Sequence, residues 1–152
     1  MAKEIERKFL VKEGYLPQGE GVSVSQGYLA EDETKTVRVR LMGERGFLTV
    51  KGRNKGIVRD EFEYEIPAED ARALLLLCGK RKLQKKRYRE NFGGRLWEID
   101  IFDGDNAPLV VAETELNRAD ETFDSPPWLG EEVSFDRRYF NSYLSEHPYK
   151  TW

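Results

Sequence analysis

The sequence predicts a mainly antiparallel β protein of the α+β class, with one sheet curled or closed on itself and helices packed outside. Three observations lead there. Polar and apolar residues alternate with period two through most of the 152 residues, and a strand sends successive side chains to opposite faces. Short Gly-containing turn signals separate many of the alternating segments, which is the spacing of hairpins. Helical spacing is confined to three short stretches, so the crossover helices of a parallel sheet are missing.

Residues 3–11 read as the first strand and residues 22–30 as the second. Residues 36–42 and 46–51 flank Gly43-Glu44-Arg45-Gly46, a hairpin turn signal. Residues 58–66 form a further strand, stopped by Pro67, which has no N–H to continue a ladder. Ala68, Glu69 and Asp70 open a helix, with acidic residues in the first turn where the helix dipole favours them. This helix runs to about Cys78 and ends at Gly79. Strands follow over 82–92, 95–102 and 108–117, with Gly93-Gly94 and Gly104-Asp105-Asn106 as turns. Residues 117–123 read as a short helix ended by Pro126-Pro127. Asp136 is placed to cap a last helix, in which Tyr139, Phe140, Tyr143 and Leu144 recur at helical spacing. No linker or low-complexity stretch divides the chain, and residues 1–152 read as a single domain.

Lys and Arg number 25 against 28 Asp and Glu, a net charge of −3, yet charged residues make up 35% of the chain, where about 25% is ordinary. The near balance argues against a nucleic-acid or membrane-surface binder, which is normally basic. The basic run through Lys80-Arg81-Lys82, Lys85-Lys86-Arg87 and Arg89 is the one local exception. No apolar run approaches the ~20 residues of a membrane helix. The lone Cys78 forbids an intrachain disulfide, and the N-terminal residues are charged at once; both point to a cytoplasmic protein. With one His and one Cys, no zinc-type ligand set exists, so a bound metal would be held by oxygen.

Sorting each strand by parity shows where the excess charge lies. Glu4, Glu6 and Lys8 share one face; so do Arg38 with Arg40, Arg59 with Glu61 and Glu63, Lys85 with Arg87, Glu98 with Asp100, and Glu113 with Glu115. Lys51 lies opposite Leu48 and Val50. Like charges two apart on one strand face repel, so their recurrence calls for an external reason. A concave site lined by eight acids and seven bases would be nearly neutral. It would admit a polyphosphate together with divalent cations: hard Mg²⁺ or Mn²⁺ takes carboxylate and phosphate oxygen, and Arg and Lys fit phosphate.

Glu4-Ile5-Glu6-Arg7-Lys8-Phe9 resembles the N-terminal Glu-x-Glu-x-Lys signature of the CYTH superfamily, the triphosphate tunnel metalloenzymes. The resemblance continues in order through Gln26-Gly27-Tyr28-Leu29, Val37-Arg38-Val39-Arg40, residues 48–52, residues 59–66, Lys85-Lys86-Arg87-Tyr88, Trp97-Glu98-Ile99-Asp100, residues 112–116, residues 130–134 and Asp136-Arg137-Arg138-Tyr139. The short bacterial form is the nearest match. Thr114 and Ser134 stand where the family often has Ile and Thr.

This resemblance implies an eight-stranded barrel open as a tunnel, with a C-terminal helix, here about 137–146, at one mouth and offering Arg137 or Arg138 to the site. It implies Mg²⁺- or Mn²⁺-dependent hydrolysis of a triphosphate, with inorganic tripolyphosphate favoured. Lys8, Arg38, Arg40, Lys51, Lys85 and Arg87 would bind phosphate, with Arg59 as a weaker candidate; among the acids Glu98 is a weaker site candidate. Glu4, Glu6, Glu61, Glu63, Asp100, Glu113 and Glu115 would hold metal or position water, the catalytic set being Glu4, Glu6, Glu61 and Glu63. The partner would be a small-molecule triphosphate, with no nucleic acid and no membrane; the family often forms homodimers. An adenylyl cyclase or thiamine triphosphatase on the same fold, and a non-catalytic polyphosphate-binding module, remain the alternatives.

Overall fold

The structure, a computed structural model, describes residues 3–152. Its strands are β1 (Lys3–Val11), β2 (Val22–Glu31), β3 (Lys35–Met42), β4 (Arg45–Gly52), β5 (Val58–Ile66), β6 (Lys82–Phe92), β7 (Arg95–Phe102), β8 (Val110–Glu115) and β9 (Leu129–Glu132). Helix α1 (Ala68–Leu77) follows β5, and α2 (Asn141–Glu146) follows a 3₁₀ turn at Arg137–Tyr139. All pairings are antiparallel, in the order β5-β4-β3-β2-β6-β7-β8-β1. Pairing of β1 with β5, through Lys3 to Ile5 against Asp60 to Val58, closes the barrel at eight strands. The far half of the same β1 edge is taken by β9, which meets Phe9 and Val11.

Three apolar clusters explain why the strands curl around a charged interior. Ala71, Leu74 and Leu75 of α1, with Cys78 at its C-terminal cap, cover the outward residues Leu29, Val39, Leu41 and Leu48. On the opposite side Phe9, Trp97, Ile99 and Ala112 lie under Tyr15, Phe123, Trp128 and Leu129. Trp97 makes edge-on contacts with Phe9, Phe123 and Trp128, at ring distances of 5.7, 5.3 and 5.6 Å. The third cluster caps one end of the barrel: Leu83, Phe102, Leu109, Val111 and Val133 pack on Tyr139 and Leu144 of the C-terminal segment. By strand parity Leu83, Phe102 and Val111 share a face with Lys85, Asp100 and Glu113. The interior therefore grades from an apolar stopper at the α2 end to a charged lumen.

Two expectations are corrected. Residues 117–123 form no helix. The Glu121 carboxylate accepts from the Asn117 N–H at 2.8 Å and pairs with Arg95, and Phe123 is drawn onto Trp97 and Phe9, so side-chain capture and aromatic burial replace helical bonding. Strand β9 was not legible as a strand, because four residues are too few to show a period. Asp136 does cap, but it caps the 3₁₀ turn, accepting from the Arg138 N–H at 3.1 Å.

One close approach fixes α1 on the barrel. A Cβ at Gly27 would lie 2.7 Å from Cys78 Sγ and 2.9 Å from Cys78 Cβ. Gly27→Ala is expected to destabilise the fold by about 1–3 kcal/mol in denaturant unfolding, with part of the loss restored by Cys78→Ala.

Candidate active site

Register decides which charges meet across the lumen. Glu4 faces Arg59, Lys8 faces Glu113, Lys51 faces Glu61, Arg87 faces Asp100, and Arg89 faces Glu98. Two acidic pairs stand side by side, Glu6 with Glu115 and Glu98 with Glu113. Lys51 Nζ lies 2.9 Å from Glu4 and 3.4 Å from Glu61, and Arg59 Nε lies 3.3 Å from Glu4. Lys8 Nζ sits 3.3 Å from Glu113 and donates to the Tyr139 carbonyl at 3.1 Å. These groups line a cavity of about 240 Å³ shared with Arg38, Arg40, Glu63, Lys85 and Arg87.

Burial and crowding bias the charges. Burial acts to raise the Glu4 pKa, but Lys51 and Arg59 outweigh it and hold the carboxyl down at about 2. Glu6 moves the other way: burial, then Glu113 and Glu4, push it well above the usual carboxylate range. Its neighbour Glu113 is held well below that range, because Lys8, Arg87 and Lys85 outweigh burial. Glu61 and Glu115 are also raised, by burial and by the nearby Glu4. Among the bases, burial lowers Lys85 to about 7 and Arg40 to about 9, aided in both cases by neighbouring Arg side chains.

The structure brings fourteen of the fifteen parity-sorted charges, Glu98 included, to the wall of this cavity. Asp100 is the exception. It is 1% exposed, and its two oxygens accept from Arg87 Nε and Nη2 at 2.8 and 2.9 Å. Lys85 Nζ lies 2.8 Å from it as well. Both oxygens are occupied, so Asp100 is placed to orient two bases, and the expected metal role does not suit its position. Arg137 and Arg138 are likewise not at the cavity. Arg138 pairs with Asp136 at 2.6 Å and stacks on Trp152, while Arg137 lines an outer groove. The C-terminal segment instead presents Phe140, Asn141 and Ser142.

Uncharged members escaped the sequence reading. Fully buried Thr49 donates to Glu63 at 2.9 Å and accepts from Arg38 at 3.2 Å. Gln26, also fully buried, accepts from Arg40 Nε at 3.1 Å. Both were open to discovery by parity, since Thr49 shares a face with Lys51 and Gln26 lies between Val24 and Tyr28. Asn141 carried no such signal.

The donor set suits a hard cation bound with a polyanion. Glu4, Glu6, Glu61, Glu113 and Glu115 offer oxygen alone, the donor chemistry of a hard cation, although no three of these acids converge as a ready metal-binding group among the described residues. On the basic wall, Arg38 Nε is buried without a hydrogen-bond partner among the described residues, as are Arg81 Nε and Trp97 Nε1 away from the cavity.

These assignments separate two kinds of acid. Glu6→Gln mimics the protonated carboxyl, so the ligand-free fold is expected to keep its stability to within about 0.5 kcal/mol. Asp100→Asn strips two buried bases of their anion and is expected to cost about 3 kcal/mol or more in denaturant unfolding.

A family model described as the CYTH domain matches residues 2–146. An inorganic triphosphatase of Acetivibrio thermocellus is 47% identical, covering 100% of this chain and 99% of its own length. Another inorganic triphosphatase, from Nitrosomonas europaea, is 38% identical over 93% of this chain and 96% of that protein. A crystal structure of an inorganic triphosphatase superposes with a TM-score of 0.67 at 37% identity, covering 93% of this chain and 96% of the other. A nearly closed lumen of paired charges, the ordered blocks that build it and the match of a single family model to nearly the whole chain agree, and the chain belongs to the CYTH domain family.

Proposed function

We propose that this protein hydrolyses inorganic tripolyphosphate to pyrophosphate and phosphate, using Mg²⁺ or Mn²⁺, within the barrel lumen. The observation that carries the reading is one cavity in which the bases Lys8, Arg38, Arg40, Lys51, Lys85 and Arg87 face the carboxylates Glu4, Glu6, Glu61, Glu63, Glu113 and Glu115. The names of the two curated relatives support it.

In this reading the phosphate chain takes over contacts that the protein now makes with itself. Lys8 and Lys51 exchange Glu113 and Glu4 for phosphate oxygens, while Arg38, Arg40, Lys85 and Arg87 bind along the chain, with Arg59 at the rim. Glu4, Glu6, Glu113 and Glu115 would hold the cation, with Glu61 and Glu63 beside it. A bound divalent ion supplies charge neutralisation and lowers the pKa of water for in-line attack. The attacking water forms a new P–O bond, the bridging P–O bond breaks, and pyrophosphate departs. Glu61, whose pKa burial and Glu4 raise, is suited to accept the water's proton. Glu63 is fixed by Thr49 and Arg38 and orients the water. Charge neutralisation of a loose transition state provides most of the acceleration. Residues 1–152 act as one catalytic domain in the cytoplasm.

Glu4→Ala and Glu61→Ala are each expected to lower kcat on tripolyphosphate by about 100-fold or more. Parallel assays with tripolyphosphate, ATP and thiamine triphosphate, each with Mg²⁺ and Mn²⁺, test the substrate. Full activity in either variant would sink the scheme, and cyclic AMP from ATP would move the assignment to a cyclase. Because Glu6 keeps its proton above the ordinary carboxylate range, a binding cation must displace it. Cation affinity should therefore weaken as pH falls, as calorimetry with Mg²⁺ or Mn²⁺ alone at two pH values will read.

A further inference from the structure

Asn141 is the first residue of α2 and lines the cavity. Its Oδ1 accepts from Lys85 Nζ at 2.8 Å and from Gln26 Nε2 at 3.3 Å. Gln26 in turn accepts from Arg40 Nε at 3.1 Å through its own side-chain oxygen. One amide oxygen thus joins two bases of the wall that sit on different strands, β6 and β3. Lys85 has a competing anchor, since Asp100 lies 2.8 Å from its Nζ on the closed side of the lumen. Without an acceptor at the cavity, the attraction of that carboxylate has no counterweight. A neutral acceptor provides the counterweight without placing a negative charge beside phosphate.

The segment that carries Asn141 is held from outside the site. Leu144 is fully buried in the apolar stopper. Arg81 donates to the Ser142 carbonyl at 3.1 Å, and the Ser145 hydroxyl donates to the same carbonyl at 2.7 Å. Asn141 is consequently a fixed point against which Lys85 is set.

We propose that Asn141 is a positioning residue: it holds Lys85, and through Gln26 also Arg40, in the orientation that receives the phosphate chain. The proposal rests on the hydrolase reading above. It acts on ground-state and transition-state binding alike, so it predicts a change in KM more than in kcat.

The test is a double-mutant cycle read in steady-state kinetics and in calorimetric binding of tripolyphosphate, with thermal unfolding of each variant as a fold control. Asn141→Ala is expected to raise KM and the tripolyphosphate Kd by about tenfold with kcat within about twofold, the size of one lost hydrogen bond to a charged group. Asn141→Leu keeps the side chain's branching at Cγ, removes the acceptor and should give the same shift, which guards against a cavity defect in the Ala variant. In a Lys85→Ala background either change should move KM clearly less than in the parent, the remainder coming from the Arg40 arm through Gln26, because coupled residues are not additive. An unchanged KM and Kd in the parent background, or an equal rise in both backgrounds, overturns the proposal. A parent protein that binds tripolyphosphate without hydrolysing it overturns the hydrolase reading instead, and the Kd contrast still decides the role of Asn141.

Discussion

A barrel can enclose ionised side chains only if each of them finds an opposite charge or a hydrogen-bond partner, because an isolated buried charge costs several kcal/mol. That requirement organises this molecule. Antiparallel register sets Glu4 against Arg59, Lys8 against Glu113, Lys51 against Glu61 and Arg87 against Asp100. Each strand contributes charges of a sign that its neighbour can answer. Where the register fails to do so, at Glu6 with Glu115 and Glu98 with Glu113, a pKa is shifted or an arginine is recruited. Burial and the neighbouring Glu113 push Glu6 well above the usual carboxylate range, and Glu98 draws Arg87 and Arg89 to 3.5 and 3.3 Å.

The lumen is also graded along its axis. On β6 the inward residues run Leu83, Lys85, Arg87, Arg89; on β7, Phe102, Asp100, Glu98; on β8, Val111, Glu113, Glu115. Apolar side chains at one end meet Tyr139 and Leu144 and exclude water. Charged ones at the other remain open to it. The deepest charges, Asp100 and Lys85, sit at this boundary and are 1% and 2% exposed. They form the most fully compensated group in the lumen and serve as a foundation for Arg87. Nearer the opening the pairs are looser and their pKa values conflict, which is the condition for exchanging partners with an incoming polyanion and its cations. An even balance of acids and bases lets the same lumen stand alone or accept that load.

Much of this was legible from period-two alternation, because a strand's side-chain direction depends on parity alone. Parity placed Glu4, Glu6, Lys8, Arg38, Arg40, Glu61, Glu63, Lys85, Arg87, Glu113 and Glu115 together on one face. It placed Asp100 there too, and could not tell that Asp100 lies at the level where two bases converge, since depth along the axis is set by strand stagger. Parity was applied only to charges, so Gln26 and Thr49 passed unnoticed although they point the same way. Residues 117–123 read as a short helix, and a carboxylate bonded to Asn117 and Arg95 together with the packing of Phe123 on Trp97 and Phe9 settled that loop otherwise.

The amino-acid sequence by itself determined which residues face inward, that they carry nearly balanced charge, and that the chemistry they can do is that of polyphosphate and hard metal. These follow from alternation and residue type, both local properties. The tertiary structure decided which charges are partners, which proton is kept, and what ends the tunnel. Those depend on register, stagger and the docking of a distant segment. Arg138 turned outward to Asp136 and Trp152, and Asn141 turned inward to Lys85, because burying Leu144 and Tyr139 against the stopper sets the rotation of the chain between them, and no local pattern in residues 136–146 encodes that rotation.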